Sequence, residues 1–397
     1  MRALFFLFLI INFYLTSEEI SFKSIKGQKF KIECAIDGKQ YLNGKLVASY
    51  SQKYKTIRTI KNVEENKAEI EDDYYYYNVN KFLANNEILQ ITDNDIITYY
   101  RDSNGVMDVQ NDQKIPSIRN APYFPDHSIV PGDKWNSSAT EVQDIYNDNT
   151  LSFFPIDVSY EFIGYDETGD KKIAKILYQY HLKAKNDFTN KIDNRILYID
   201  GVSKTLMFFD AENGTRTKEI YERQYFIKTK NGEYVLNFEI TDSGERIWTP
   251  IELMKKEELV DDIKKDFEEN SIKDATVEKD DIGLKITLQN IRFAPESSKL
   301  EPSEIERLDS ISNILEKYKG KSILVVGHTT DRGTERGRKI LSQERAKSVA
   351  EYLIIREAVD RSKLSYYGKG GDEPIADNNT EEGLNLNRRV EIFILEE

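Results

Sequence analysis

Across its 397 residues this chain has one cysteine, two tryptophans, three histidines and nine prolines. A lone cysteine, Cys34, cannot form an internal disulfide, so packing must hold the fold even in an oxidising compartment. Its simplest role is that of a small buried apolar residue. His127, His181 and His328 are far apart in sequence and no His/Cys/Asp cluster has metal-ligand spacing, so neither a metal nor another cofactor is expected. The chain also lacks GxxxxGK[ST] and a strand-linked GxGxxG, which leaves Gly327, Gly333, Gly368, Gly370 and Gly371 as expected turn formers rather than a phosphate cradle. Basic charge is short too: 56 Lys and Arg stand against 69 Asp and Glu, a formal net charge of -13. Nucleic acid and anionic membrane surfaces both need a concentrated basic face, so neither is expected as a main partner.

One long apolar run exists, from Ala3 to Thr16, preceded by Arg2 and followed by Glu18-Glu19. It is shorter than the roughly 20 residues of a spanning helix and has the build of a secretory signal, with cleavage expected near Ser17. No cysteine follows it closely, so no lipid is expected at the mature N-terminus. What the chain does have is 24 Tyr and 19 Phe among 31% charged residues, a mixture suited to β-sheets. Its length calls for more than one core.

From about Ile20 to Thr241 short β-branched and aromatic segments, such as Ile173 to Tyr180 and Tyr221 to Lys228, alternate with turn signals at Asp166 to Asp170, Asp200-Gly201, Asn213-Gly214 and Asn231-Gly232. This reads as a β-rich domain, an antiparallel sheet in a half-barrel or sandwich. Pro122 to Trp135 is expected to be an ordered crossing loop. A transmembrane barrel needs strands of about 10 residues with one uncharged row. The candidate strands look shorter, and Tyr221 to Lys228 has charge in both rows. Tyr74 to Tyr77 on a strand should place two rings on each face.

Beyond about Ile247 the period changes. Leu259, Val260, Ile263 and Phe267 predict a helix over 251–269; Ile282 to Leu288 alternate as a strand; Pro302-Ser303 opens a helix with Ser303 as cap. Ile323 to Val326, apolar on both faces, predicts a central strand, followed by a helix from about Glu335 to Arg356 and a last strand from Arg389 to Leu395. Strands alternating with helices predict one mixed sheet with helices on one side. The expected division is 1–17 signal, 18–245 β-rich domain and 246–397 α/β domain, hinged around Asp242-Ser243-Gly244.

On that last helix Leu341, Arg345 and Val349 fall at i, i+4 and i+8, so Arg345 projects beside apolar residues and must have a partner. An ion pair with Glu391 is the structural alternative to a ligand.

Three motifs in the second domain resemble one family. Gly327-His328-Thr329-Thr330-Asp331-Arg332-Gly333, Leu341 to Val349 (LSQERAKSV) and Asn387 to Ile392 (NRRVEI) match in order and near spacing the GHTDxxG, LSxxRAxxV and NRRVEI pattern of the C-terminal domain of outer-membrane protein A and peptidoglycan-associated lipoprotein. Phe293, Leu300 and the segment from Gly368 to Asn378 also fit, so the resemblance covers about 280–395. It implies an OmpA-like mixed-sheet fold in the cell envelope, located in the periplasm near the outer membrane or wall. Its partner would be peptidoglycan, with another envelope protein on the β-rich domain. The function it implies is docking rather than catalysis.

In the family the arginine matching Arg345 takes the stem-peptide carboxylate, and the aspartate of GHTD takes the ammonium of the diamino acid. Here Thr330 fills the place of that aspartate, and Asp331 follows it. Arg388 and Arg389 have opposite parity, so only one of them can face the same pocket. The ligand-binding set expected is therefore Thr330, Asp331, Arg345, Arg388 and Arg389. The threonine implies weakened or redirected binding, the alternative being an interaction module that has kept the fold and lost the ligand.

Overall fold

The computed structural model describes residues 19–77, 89–166, 171–186, 191–294 and 297–396. The expected signal segment and most of the Asp166 to Asp170 turn lie outside these.

Twelve antiparallel strands build the first domain: β1 (Lys29–Leu42), β2 (Lys45–Glu64), β3 (Lys67–Tyr77), β4 (Leu89–Asp102), β5 (Met107–Asp108), β6 (Ile118–Arg119), β7 (Lys134–Gln143), β8 (Ser152–Asp166), β9 (Ile173–Lys185), β10 (Ile196–Asp210), β11 (Thr215–Asn231) and β12 (Tyr234–Pro250). Neighbours in sequence pair in turn from β1 to β5 and from β6 to β12, and β1 also pairs β12 from Phe30↔Pro250 to Leu42↔Phe238. The first and last strands thus join two meanders into one sheet, which fits the expected β-rich fold. The long strands run from 10 residues in β7 to 20 in β2, longer than the short segments expected, because each spans several of the apolar-polar repeats between its turns.

Alternation along β8 and β9 sends Phe154, Ile156, Val158, Ala174, Ile176 and Tyr178 inward. The outward row of β9 reads Lys175, Leu177, Gln179, His181 and Lys183, too charged for a lipid-facing band. In β11 Glu222 and Lys228 point out, whereas Arg223 points in and is paired to Asp242 at 2.8 and 3.0 Å.

That pairing also moves the expected boundary. Asp242-Ser243-Gly244 is not a hinge but the middle of β12, bonded to β1 and β11 on either side. A Cβ at Gly244 would meet the Tyr221 hydroxyl at 2.5 Å and the Ala35 carbonyl at 2.7 Å, so glycine is there for close approach. The strand runs on to Pro250.

The second domain comprises α1 (Lys256–Glu269), β13 (Ala275–Asp280), β14 (Gly283–Leu288), α2 (Pro302–Glu316), β15 (Ile323–His328), α3 (Glu335–Ile355), β16 (Leu364–Gly370), α4 (Glu381–Asn387) and β17 (Val390–Leu395). Its mixed sheet runs β13-β14-β17-β15-β16, parallel only between β15 and β16. Ser303 does not cap α2; Pro302 occupies the first helical position, where its fixed φ suits the helix, and Ser303 falls inside.

Helices cover one face of this sheet, where Ile323, Val325, Val390, Ile392 and Ile394 meet Leu308, Ile311, Val349 and Leu353. The other face is not left to solvent. Leu324, Val326, Phe393 and Leu395 pack against Ile57, Tyr75 and Ile91 of the first domain, which explains why β15 is apolar on both sides. Tyr74 and Tyr76 meanwhile stack inside the first domain, their centroids 6.3 Å apart, while Tyr75 and Tyr77 face the second, two rings to each face as their spacing predicts.

The junction is fastened by Glu396, whose carboxylate lies 2.9 Å from Lys29 and 3.2 Å from Lys256. Burial would raise its pKa, but the two ammonium groups outweigh that and hold it below the usual range. Two residues of β4, Leu89 and Gln90, extend the second sheet beside β16. No helix among the described residues is long and apolar enough to cross a membrane.

Candidate functional site

The site grows from the carboxyl end of β15, where strand, loop and helix converge. A Cβ at Gly327 would lie 2.1 Å from the Ser342 carbonyl and one at Gly368 would lie 2.4 Å from the Gln343 amide. These two glycines therefore let α3 rest on the strand ends. Turn geometry belongs instead to Gly333 (φ 91) and Gly370 (φ 63). Thr334 caps α3, its hydroxyl accepting from the Gly337 amide at 3.2 Å.

Between them the loop is tied down from within. The Thr329 amide donates to the Gly370 carbonyl (2.8 Å), and the Thr329 hydroxyl donates to the Thr330 carbonyl (3.1 Å). Thr330 is buried, and its hydroxyl accepts from the Arg332 amide at 3.5 Å. Asp331 is exposed. Arg338, which the motif reading did not single out, reaches back from α3 to the carbonyls of Asp331 (3.1 Å) and Gly333 (2.8 Å).

Arg345 leaves α3 at the edge of its buried stripe of Ser342, Ala346 and Val349. Its guanidinium lies over the Phe293 ring, 4.9 Å from the centroid, and Nε donates to the Ser297 carbonyl at 3.3 Å. Among the described residues no carboxylate pairs with it. Desolvation first, and the neighbouring Arg388 second, lower its pKa. Glu391, the alternative partner, is engaged elsewhere.

Glu391 accepts from Arg389 at 2.8 Å and lies 3.3 Å from His328 Nε2. Burial alone would raise its carboxyl, yet the hydrogen bond from His328 and the Arg389 guanidinium hold it at about 2. Burial in turn lowers His328, so the ring is neutral near pH 7. With Nε2 carrying the proton toward Glu391, the buried Nδ1 is bare and has no partner among the described residues. Of the pair that parity left open, Arg389 is buried in this cluster on the face of the sheet shared with Leu324 and Phe393, and also donates to the Glu373 carbonyl at 3.1 Å. Arg388 is the one beside Arg345.

Asn387 was also missed as a site organiser. Fully buried, it accepts from the amides of Ile375 (2.8 Å) and Ala376 (3.0 Å) and donates to the Ala376 carbonyl (2.8 Å) and to Asn378 Oδ1 (2.9 Å), which fixes the loop before α4. Its position before the paired arginines was the available signal. The structure thus brings Arg345, Arg388 and Phe293 together, sets Thr330 and Asp331 on the loop preceding α3, and turns Arg389 away. Among the described residues no group of His, Cys, Asp and Glu could hold a metal.

Residues 292–388 match the OmpA family model. The chain is 39% identical over 105 residues to the probable lipoprotein YiaD of Escherichia coli, covering 26% of this chain and 48% of that protein. It is 36% identical over 104 residues to the peptidoglycan-binding protein ArfA of Mycobacterium tuberculosis, covering 26% of this chain and 32% of that protein. The matched region therefore spans about half or less of these curated relatives. Among solved structures, an outer membrane protein from Borrelia burgdorferi B31 aligns at 33% identity over 30% of this chain and 96% of that one, with a TM-score of 0.26. Motifs and family match agree in one conclusion: the second part of this chain carries an OmpA-family domain at residues 292–388.

Proposed function

We propose that this is a non-enzymatic cell-envelope protein whose OmpA-family domain docks on peptidoglycan stem peptides, with Arg345 as the carboxylate-binding residue. The observation that carries the reading is a half-buried guanidinium with no carboxylate partner among the described residues, lying over Phe293 and beside Arg388. A desolvated cation of this kind gains most from an incoming carboxylate, to which its planar fork can make paired charge-assisted bonds. ArfA, matched at 36% identity, is by name a peptidoglycan-binding protein. Arg388 adds positive potential at the same place, whereas Arg389 acts through the loop and sheet it braces.

Thr330 brings a hydroxyl but no charge where the ammonium of the diamino acid would sit. Binding is weaker for that reason, by about 1.5–3 kcal/mol, or roughly 10- to 100-fold. Asp331, exposed on the same loop, is the candidate for partial compensation. Co-sedimentation with purified sacculi tests the assignment: the chain pellets weakly, Arg345→Ala loses most of that binding, and Thr330→Asp strengthens it on walls with a diaminopimelate stem.

A second reading is favoured by one specific observation, the use of Thr330 within its own loop. In it the domain is an interaction module without a wall ligand, and wild type, Arg345→Ala and Thr330→Asp all fail to pellet. The same proposal places the protein in the periplasm, exported by residues 1–17 and cleaved near Ser17, which the mass of the mature N-terminus checks. The partner expected for the β-rich domain is another envelope component.

A further inference from the structure

At one place inside the first domain guanidiniums outnumber the carboxylates that pair with them. Arg58, Arg216 and Arg246 line a cavity of about 110 Å3 enclosed by the curled sheet, together with Thr56, Trp248 and Tyr178. A smaller recess shares Arg58, Arg216 and Trp248 as walls and adds Arg101. Three guanidiniums therefore line the cavity, and a fourth, that of Arg101, lines the recess beside it.

Two carboxylates answer them, and neither lines the cavity. Asp72 takes Arg58 through paired bonds of 2.8 and 2.7 Å. Glu219 is shared, 3.2 Å from Arg216 and 3.2 Å from Arg246. Arg101 is 5% exposed, stacks 3.8 Å above the Phe22 ring and has no carboxylate partner among the described residues; its Nε has no hydrogen-bond partner. Desolvation first, and then neighbouring Arg58, lower its pKa to about 9. Thr56 Oγ1 and Trp248 Nε1, both buried, likewise have no hydrogen-bond partner among the described residues.

Buried donors and cations left without acceptors are costly unless a ligand or water satisfies them. What is missing is an acceptor carrying negative charge, and an arginine fork with an indole N–H beside it suits a planar or tetrahedral oxyanion. We propose that this cavity, together with the adjoining recess that shares Arg58, Arg216 and Trp248 as walls and holds Arg101, is a binding site for a small oxyanion, a carboxylate or a phosphate group. The space admits about three or four waters' worth of ligand at roughly 30 Å3 each, which limits the bound group to one of small size. The site is independent of the OmpA-family domain and of its proposed wall ligand.

Isothermal titration calorimetry of the full chain with sodium phosphate and, separately, with sodium acetate tests this at constant ionic strength set with chloride. Saturable one-site binding of either anion is expected, and which of the two binds more tightly assigns the phosphate or the carboxylate source. In Arg101→Met the affinity falls at least 10-fold, while the melting temperature without added anion is no lower than that of the parent, because an unpaired buried cation has gone. Trp248→Phe keeps the ring and removes the donor, so it should also weaken binding and serves if Arg101→Met fails to fold. Absence of saturable heat with both anions overturns the proposal, as does binding that is unchanged in these variants.

Discussion

The two domains of this chain differ in what they add to an apolar core. Behind the OmpA-family sheet the core is aliphatic, with Leu308, Ile311, Val325, Val349, Leu353 and Ile392 all fully buried. Inside the twelve-stranded sheet an apolar cluster that includes Phe154, Val158, Phe162 and Ile176 is joined by buried tyrosines and charged pairs. Arg58 is clamped by Asp72 and Tyr99, Arg223 by Asp242, and buried Glu141 accepts from Tyr225 at 2.6 Å. An aliphatic core tolerates change in proportion to the volume lost; a charged one fails through the partner left behind. The contrast separates a helix-covered core of packing alone from one in which charged clamps are set beside the packing.

The largest effect should come from breaking one charged clamp. Asp72→Ala leaves Arg58 buried and unpaired, and should cost about 3–5 kcal/mol, read by denaturant unfolding of the first domain. Ile392→Ala, in the aliphatic core, should cost about 3 kcal/mol by cavity formation and should act on the second domain's transition. Equal shifts of a single transition by both would show that the two cores are not separate units.

Acid should reach the second domain through Glu391. A carboxyl depressed in the folded state stabilises above its unfolded value, near 4.5, and that contribution is lost as pH falls toward about 2. The loss should amount to roughly 3 kcal/mol across that window, and Glu391→Gln should flatten it in an acid titration of unfolding. His328, lowered by burial, works on a different range: protonation favours the unfolded chain as pH falls below about 6.5.

A smaller effect is expected at the junction. A fragment of residues 251–397 should still melt cooperatively, because its aliphatic core is complete within it, yet should self-associate through bared Leu324, Val326, Phe393 and Leu395. Sedimentation of the fragment against the full chain checks this, and a fragment with no cooperative transition would make the two domains one unit.

Periodicity made the second domain legible: α1, α3, β14, β15 and β17 follow apolar repeats and sharp cap or turn signals. What it hid were β13, β16 and α4, short elements whose placement is set by neighbours, and the cover of the second apolar face of β15, which comes from Ile57, Tyr75 and Ile91 far earlier in sequence. In the first domain turns were readable and strand lengths were not. A charged residue such as Arg223 or Asp242 reads as exposed or as a hinge until its cross-strand partner is known. Arg345 stood out because it shares a helix side with apolar residues; the separate fates of Arg388 and Arg389 depended on which face of β17 turns toward the first domain.

The most direct test of the central claim is co-sedimentation of the full chain and of Arg345→Ala with purified sacculi, at low and at high salt. Weak, salt-sensitive binding that Arg345→Ala largely removes is the predicted result. Binding that is unaffected by Arg345→Ala, or that depends instead on Asp331, would contradict it.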